Sequence, residues 1–127
     1  MGYHILIVDD NRFMRDMITR AVQMSSLEIA SIHQSADGSQ ALDLIRKTWI
    51  DLILLDINMP VMNGEQFLQA LRADPALKSQ LVIIVSTESS PTRIDRLKAL
   101  GAGFIHKPFR PEELIRTVDA MTNQEVP

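Results

Sequence analysis

Five short apolar runs alternate with five amphipathic stretches along this chain, and this alternation limits the folds that it can adopt. The central run, Leu52–Leu55, contains no polar residue and is too short for a buried helix, so it predicts a strand covered on both faces. The other predicted strands are residues 4–8, 28–34, 81–85 and 104–106. Helices are predicted from residue 12 to about 24, over 39–48, 65–72 and 91–100, and from 111 to about 121. The alternation predicts an α/β fold, a doubly wound parallel sheet with helices on both faces.

The first predicted helix carries Phe13, Met17, Ala21 and Met24 at helical spacing. These residues are therefore expected to form its buried face, with the methionines filling the core. The loop over residues 58–63 is also unusually apolar. It either packs on the end of the sheet or forms a contact surface, and the sequence leaves both alternatives open.

The length and composition of the chain are those of a single small globular domain, taken as residues 1–127. The chain has no cysteine, which excludes a disulfide framework and a thiolate metal site. A net charge of −3 argues against direct nucleic-acid binding driven by overall charge. No apolar run approaches the length of a membrane span, and the N-terminus lacks the pattern of a signal peptide, so we expect a cytoplasmic protein with no membrane contact.

Polar side chains follow four of the predicted strands, and right-handed crossovers bring these strand ends to one edge of the sheet. Clustered carboxylates repel one another unless a cation neutralises them, and Mg²⁺ prefers such oxygen ligands. A carboxylate can also attack phosphorus and form an aspartyl phosphate. Taken singly, each residue has an ordinary explanation, such as a turn or a solvated lysine, but their combination points to phosphoryl chemistry. The residues are Asp9 and Asp10 after the first strand, Asp56 after the third, Ser86 and Thr87 after the fourth, and Lys107 after the fifth.

Four segments of the chain resemble the receiver domain of two-component response regulators. They read ILIVDDNRFMR, LILLDINMPVMNG, VIIVSTES and GFIHKPF, and the similarity covers nearly the whole chain. The resemblance implies a flavodoxin-like fold, with five strands in the order 2-1-3-4-5 and five helices.

The resemblance also implies roles for the residues at the sheet edge. Asp56 would accept a phosphoryl group from the phosphohistidine of a histidine kinase. Asp10 and Asp56 would bind Mg²⁺ directly with the backbone carbonyl of Asn58, and Asp9 would act mainly through water. Lys107 would contact the phosphoryl group. Such a protein catalyses only its own phosphorylation and dephosphorylation.

Two further residues would form the switch. Ser86 would move toward the phosphoryl group, with Thr87 as the neighbouring alternative, and Phe104 would change its rotamer. The peptide bond between Lys107 and Pro108 is expected to be cis. The segment from Gly101 to Lys107 is one residue shorter than is usual in the family, which leaves the path of this loop open.

The stretches STES and KPFRPEEL are most similar to chemotaxis-type, single-domain regulators of the CheY kind. Such a regulator would act as a monomer or weak dimer and bind a downstream protein through its fourth helix, fifth strand and fifth helix. Alternatively, the chain is a receiver domain from a larger regulator with a DNA-binding or enzymatic output domain. Residues expected on the partner surface are Arg93, Ile94, Arg96, Lys98, His106 and Arg110.

Two other classes fit the architecture less well. A haloacid-dehalogenase-like phosphatase requires an acid two residues after the nucleophile and a threonine two beyond that, where this chain has Asn58 and Pro60. A flavodoxin-like cofactor binder requires a phosphate cradle after the first strand, where this chain has the acidic sequence of residues 9–11. Turnover of a phosphate monoester would favour the phosphatase, and a flavin bound to the purified protein would favour the cofactor binder.

Overall fold

A computed structural model describes residues 2–122; Met1 and residues 123–127, the ends of the predicted domain, lie outside it. Within this part, strands and helices alternate as predicted, and each predicted bound agrees within one residue. None of the helices described is long and apolar enough to cross a membrane. The elements are β1 (Tyr3–Val8), α1 (Arg12–Gln23), β2 (Ile29–Ser35), α2 (Gly38–Lys47), β3 (Leu52–Leu55), α3 (Gly64–Ala73), β4 (Leu81–Ser86), α4 (Pro91–Ala99), β5 (Gly103–His106) and α5 (Pro111–Met121).

The five strands form one parallel sheet in the order β2-β1-β3-β4-β5, which confirms the expected doubly wound, flavodoxin-like topology. The four residues of β3 have no exposed surface. This strand lies at the centre of the sheet and is covered by helices on both faces, as its unbroken apolar run predicts.

Alternate residues of the strands supply two separate cores, one on each face of the sheet. Leu6 and Ile53 belong to the core under α2, α3 and α4. Ile5 and Leu54, their neighbours along the chain, belong to the core under α1 and α5. The sheet is therefore held between two helical layers, and its carboxyl edge is left free for polar residues.

The predicted buried face of α1 is wrong for three of its four residues. Phe13, Met17 and Met24 are exposed, with 80%, 45% and 67% of their surfaces accessible, and Ala21 alone is buried as predicted. The buried stripe is instead Ile18, Ala21 and Val22. The apolar residues of α1 extend around most of the helix, so their spacing alone does not determine which side faces the sheet.

Candidate functional site

The polar site at the carboxyl edge of the sheet is built by residues that continue the strand hydrogen bonds one step beyond β1, β3 and β5. The Asp9 amide donates to Ser35 O (3.1 Å), the Asp56 amide to Val8 O (2.9 Å), and the Lys107 amide to Ser86 O (2.8 Å). These backbone bonds fix Asp9, Asp56 and Lys107 in line with the sheet, so their side chains project from the same edge.

Three predicted metal ligands meet at this edge. Each of Asp9, Asp10 and Asp56 offers a carboxylate oxygen, and the three oxygens lie within 4.8 Å of one another. Asp9 and Asp56 are buried, whereas Asp10 is exposed. Burial raises the pKa of Asp56, the charge of Lys107 opposes this rise, and the charge of Asp9 adds to it. Such a set of oxygens fits a hard divalent cation, because the cation would relieve both the repulsion and the loss of hydration.

Lys107 reaches into the same cluster. Its Nζ lies 2.8 Å from Asp9 Oδ2 and 3.5 Å from Asp56 Oδ1, and its side chain is only 12% exposed. The structure therefore places the ammonium group beside the predicted phosphoacceptor, where it can meet an oxygen of a group attached to Asp56. The bond from Lys107 to Pro108 is cis, as predicted.

The predicted switch residues occupy different environments. Ser86 is fully buried, and its Oγ accepts a hydrogen bond from the Glu88 amide (3.1 Å), whereas Thr87 is exposed. Phe104 is partly buried against the core and lies in register with Ile84 of β4.

The connection between α4 and β5 contains Gly101, whose φ of +82° is easily adopted only by glycine. This left-handed residue allows the chain to turn directly into β5 at Gly103. The path of the short loop is therefore a tight glycine turn, and it leaves Lys107 at the carboxyl edge of the sheet.

The loop after Asp56 lies close to the backbone of its own strand. The Gly64 amide donates to Ile57 O (2.8 Å), and a Cβ at Gly64 would overlap the carbonyl oxygen of Asp56, so only glycine fits. Asn58 is exposed in this loop. Val61 is also exposed and has a φ of +66°, which is strained for a β-branched residue.

The first of the two alternatives for this loop, packing on the end of the sheet, is confirmed. Met59 is buried and Met62 is partly buried, and both pack against the core under α2 and α3, whereas Val61 is exposed to solvent. The loop therefore packs on the end of the sheet through its methionines and exposes its valine.

An ion-pair cluster beside the site was not anticipated from the sequence. Glu65, in the first turn of α3, pairs with Arg93 (3.3 Å) and Arg96 (2.6 Å) of α4, and Arg93 also pairs with Glu88 (3.0 Å). The hydrogen bonds from Arg96 lower the pKa of Glu65. Arg93 and Arg96, two of the residues predicted on the partner surface, both bind this carboxylate, and the Arg96 side chain is still 54% exposed. No local sequence pattern signals a pairing between residues about 30 positions apart.

Comparison with known proteins gives the family. The family model described as the response regulator receiver domain matches residues 5–119. The DNA-binding response regulator MtrA of Mycolicibacterium smegmatis is 37% identical over 94% of this chain and 50% of its own length. A protein-glutamate methylesterase/protein-glutamine glutaminase of Rhodospirillum centenum is 34% identical over 88% of this chain and 28% of its own length. The chain thus spans half or less of these relatives.

A solved structure agrees with this result over most of the chain. The chemotaxis response regulator CheY4 of Vibrio cholerae superimposes with a TM-score of 0.84 at 34% identity, covering 95% of this chain and 99% of that one. The chain belongs to the response regulator receiver domain family of two-component systems. Neither the phosphatase nor the flavodoxin-like class is therefore needed to account for its fold.

Proposed function

We propose that this chain is a Mg²⁺-dependent phosphoacceptor switch, phosphorylated on Asp56 by a histidine kinase. The observation that carries the proposal is the position of Asp56, buried at the end of β3 beside a Lys107 ammonium that also contacts the Asp9 carboxylate. A buried carboxylate beside one cation and two further acids is suited to receive a phosphoryl group, since such transfer depends mainly on positioning and charge neutralisation.

The proposed reaction is a transfer from nitrogen to oxygen. A carboxylate oxygen of Asp56 attacks phosphorus and forms a P–O bond, and the P–N bond of the donor phosphohistidine breaks with its electron pair returning to the imidazole. Lys107 Nζ, 3.5 Å from Asp56 Oδ1, stabilises the negative charge of the transferred oxygens. The Ser86 hydroxyl, at the end of the adjacent strand, is assigned to another of these oxygens, and exposed Thr87 is the alternative.

Asp9, Asp10 and Asp56, with the backbone carbonyl of Asn58, would hold the cation. When bound, Mg²⁺ supplies positive charge to the phosphoryl oxygens. In this assignment Asp10 and Asp56 are direct ligands, and buried Asp9, which already accepts the Lys107 hydrogen bond, contributes through water. Phe104 completes the switch by changing its rotamer when Ser86 moves.

The output is proposed to be a protein contact through α4, β5 and α5. Lys98 of α4, His106 of β5 and Arg110, the N-cap residue of α5, are exposed and available to a partner. The match to CheY4 over 99% of that chain favours a chemotaxis-type regulator. The match to half of MtrA supports the second candidate, a receiver that controls a DNA-binding or enzymatic output domain.

The test is intact mass after incubation with acetyl phosphate, with and without Mg²⁺. Wild-type protein is expected to gain one phosphoryl group only when the metal is present, and Asp56→Asn to gain none. Lys107→Ala is expected to take up phosphate but to lose the coupling to partner binding. Equal uptake by Asp56→Asn and wild type would contradict the assignment of Asp56.

A further inference from the structure

The cluster formed by Glu65, Glu88, Arg93 and Arg96 joins three segments that are distant in the sequence. Glu65 Oε2 accepts from Arg96 Nε (2.6 Å), and Glu65 Oε1 accepts from Arg96 Nη2 (3.1 Å), so this pair is bidentate. Arg93 Nη1 donates to Glu88 Oε1 (3.0 Å). The side chains of Glu65 and Arg93 are 14% and 26% exposed, whereas that of Arg96 is 54% exposed. Bidentate, partly buried pairs that form a network hold their elements together better than isolated surface pairs.

One end of this cluster is anchored to the phosphoacceptor strand. Glu65 follows Gly64, whose amide donates to Ile57 O and whose Cα packs against the Asp56 carbonyl. The Asn63 cap and Gln66, which form a reciprocal capping box, also hold the first turn of α3 in place. The Glu65 carboxylate is therefore presented to α4 from a rigid position.

The other end of the cluster reaches the predicted switch hydroxyl. Glu88, held by Arg93, donates its backbone N–H to Ser86 Oγ (3.1 Å). A displacement of the Ser86 hydroxyl must therefore either break this bond or move Glu88, and with it the contact to Arg93. The ion pairs and the hydroxyl are mechanically connected.

The contact between Arg93 and Glu65 is looser than the contact between Arg96 and Glu65. The Nε of Arg93 is buried and lies 3.3 Å from Glu65 Oε1, yet it makes no hydrogen bond within the described residues. This contact is therefore a charge pair rather than an aligned hydrogen bond.

We propose that this cluster is an electrostatic latch that holds α4 and the β4–α4 loop in the arrangement with Ser86 bonded to Glu88, and thereby opposes phosphorylation of Asp56. The inference rests on the proposed function and adds to it a means of regulation. Glu65 is a positioning residue in this scheme, since it acts on the reacting group only through Arg93, Arg96 and the loop. Opening the latch should shift the population toward the phosphoryl-binding arrangement before any phosphoryl group arrives.

The test compares Glu65→Gln with Glu112→Gln, a matched control in the exposed first turn of α5. Beryllofluoride with Mg²⁺ serves as a phosphoryl mimic. The thermal midpoint is measured at increasing beryllofluoride concentrations, and the concentration that gives half of the full shift is the half-saturating concentration. We expect this concentration to fall about three- to tenfold in Glu65→Gln, the range that one or two partly exposed ion pairs provide. The rate constant of phosphorylation by acetyl phosphate should rise by a similar factor, and neither quantity should change in the control.

Two further measurements examine the mechanism. Raising the salt concentration should bring the wild type toward Glu65→Gln, because screening weakens the partly exposed pairs. Arg93→Gln, which loses contacts to both Glu65 and Glu88, should have a larger effect than Arg96→Gln, and the double variant of Glu65 and Arg96 should be less than additive.

The possible failures are distinguishable. If wild type is phosphorylated but Glu65→Gln behaves like Glu112→Gln, the latch is refuted and the proposed function stands. A weaker affinity of Glu65→Gln for beryllofluoride also refutes the latch. If wild type neither gains a phosphoryl group nor binds beryllofluoride, the proposed function fails and the latch with it.

Discussion

Arg72 offers a sharp test of how the helical layer beside β4 is held together. Its guanidinium, at the end of α3, donates from Nε to Leu100 O (2.6 Å) and from Nη1 to Gln80 O (2.8 Å) and Lys78 O (3.1 Å). It makes no ion pair within residues 2–122, and burial lowers its pKa. Its role is therefore to satisfy carbonyl groups of two loops, one before β4 and one after α4.

The substitution Arg72→Met keeps most of the apolar stem and removes the three donors. A hydrogen bond from a charged donor contributes about 1.5–3 kcal/mol, and water can replace the donor at the more exposed carbonyls. We therefore expect the free energy of unfolding to fall by about 2–4 kcal/mol, which is less than the sum of three such bonds. The thermal midpoint should fall by about 8–16 °C, since a domain of this size loses roughly 4 °C per kcal/mol.

Urea unfolding followed by circular dichroism measures this loss, with an unchanged m-value showing that the native state is intact. Arg72→Lys should recover less than half of the loss, because one ammonium group cannot reach carbonyls on two separate loops. The control is Arg46→Met on the exposed surface of α2, which should change the free energy of unfolding by less than about 0.5 kcal/mol. If Arg72→Met is as stable as this control, the carbonyl contacts do not support the fold as argued.

Three further predictions concern the phosphoacceptor site. Val61→Asn should raise the free energy of unfolding by about 1 kcal/mol in urea, because asparagine adopts the left-handed φ of +66° at lower cost; an unchanged midpoint would show that this residue is not strained. Asp56→Asn should also stabilise the protein at neutral pH, because burial raises the pKa of the native carboxyl. The stability that protonation of Asp56 confers is complete below its ordinary value of 3.8 and is lost as pH rises through the raised pKa. The extra stability of Asp56→Asn over wild type should therefore disappear in acid. Thermal melts from neutral pH down to below 3.8 measure this difference. A variant that stays more stable than wild type at the acid end would contradict the reasoning. Without phosphate, Mg²⁺ should raise the thermal midpoint of wild type more than that of Asp56→Asn, since the variant lacks one carboxylate ligand; equal shifts would place the cation elsewhere.

The sheet and its acidic edge could be predicted from the sequence for a physical reason. A strand buried on both faces needs an unbroken apolar run such as Leu52–Leu55. A buried helix would need a longer apolar segment, so this short run indicates a strand. Asp9, Asp56 and Lys107 then emerge at the same edge, because the carboxyl ends of parallel strands all lie on one edge of a sheet. Residues that are far apart in the sequence, such as Asp9 and Lys107, therefore lie next to each other in the fold.

Other features could not be predicted because they depend on how the helices are oriented and paired. The apolar residues of α1 permit several buried stripes, and only packing against the sheet selects Ile18, Ala21 and Val22 over Phe13 and its neighbours. The contact of Glu65 with α4 depends on the angle between two helices, which neither helix encodes alone. Even the strain at Val61 is invisible in a sequence, since it lies in one backbone angle.

The order of strands in the sheet has a consequence for how the chain acquires its structure. β1 lies between β2 and β3, so the first strand to be synthesised obtains its second neighbour only when residue 55 has been made. Every strand pairing closes a loop that contains a whole helix. The chain loses conformational entropy on closing this loop before the contacts between the two strands stabilise it. We therefore expect the chain to fold in milliseconds or longer rather than in microseconds.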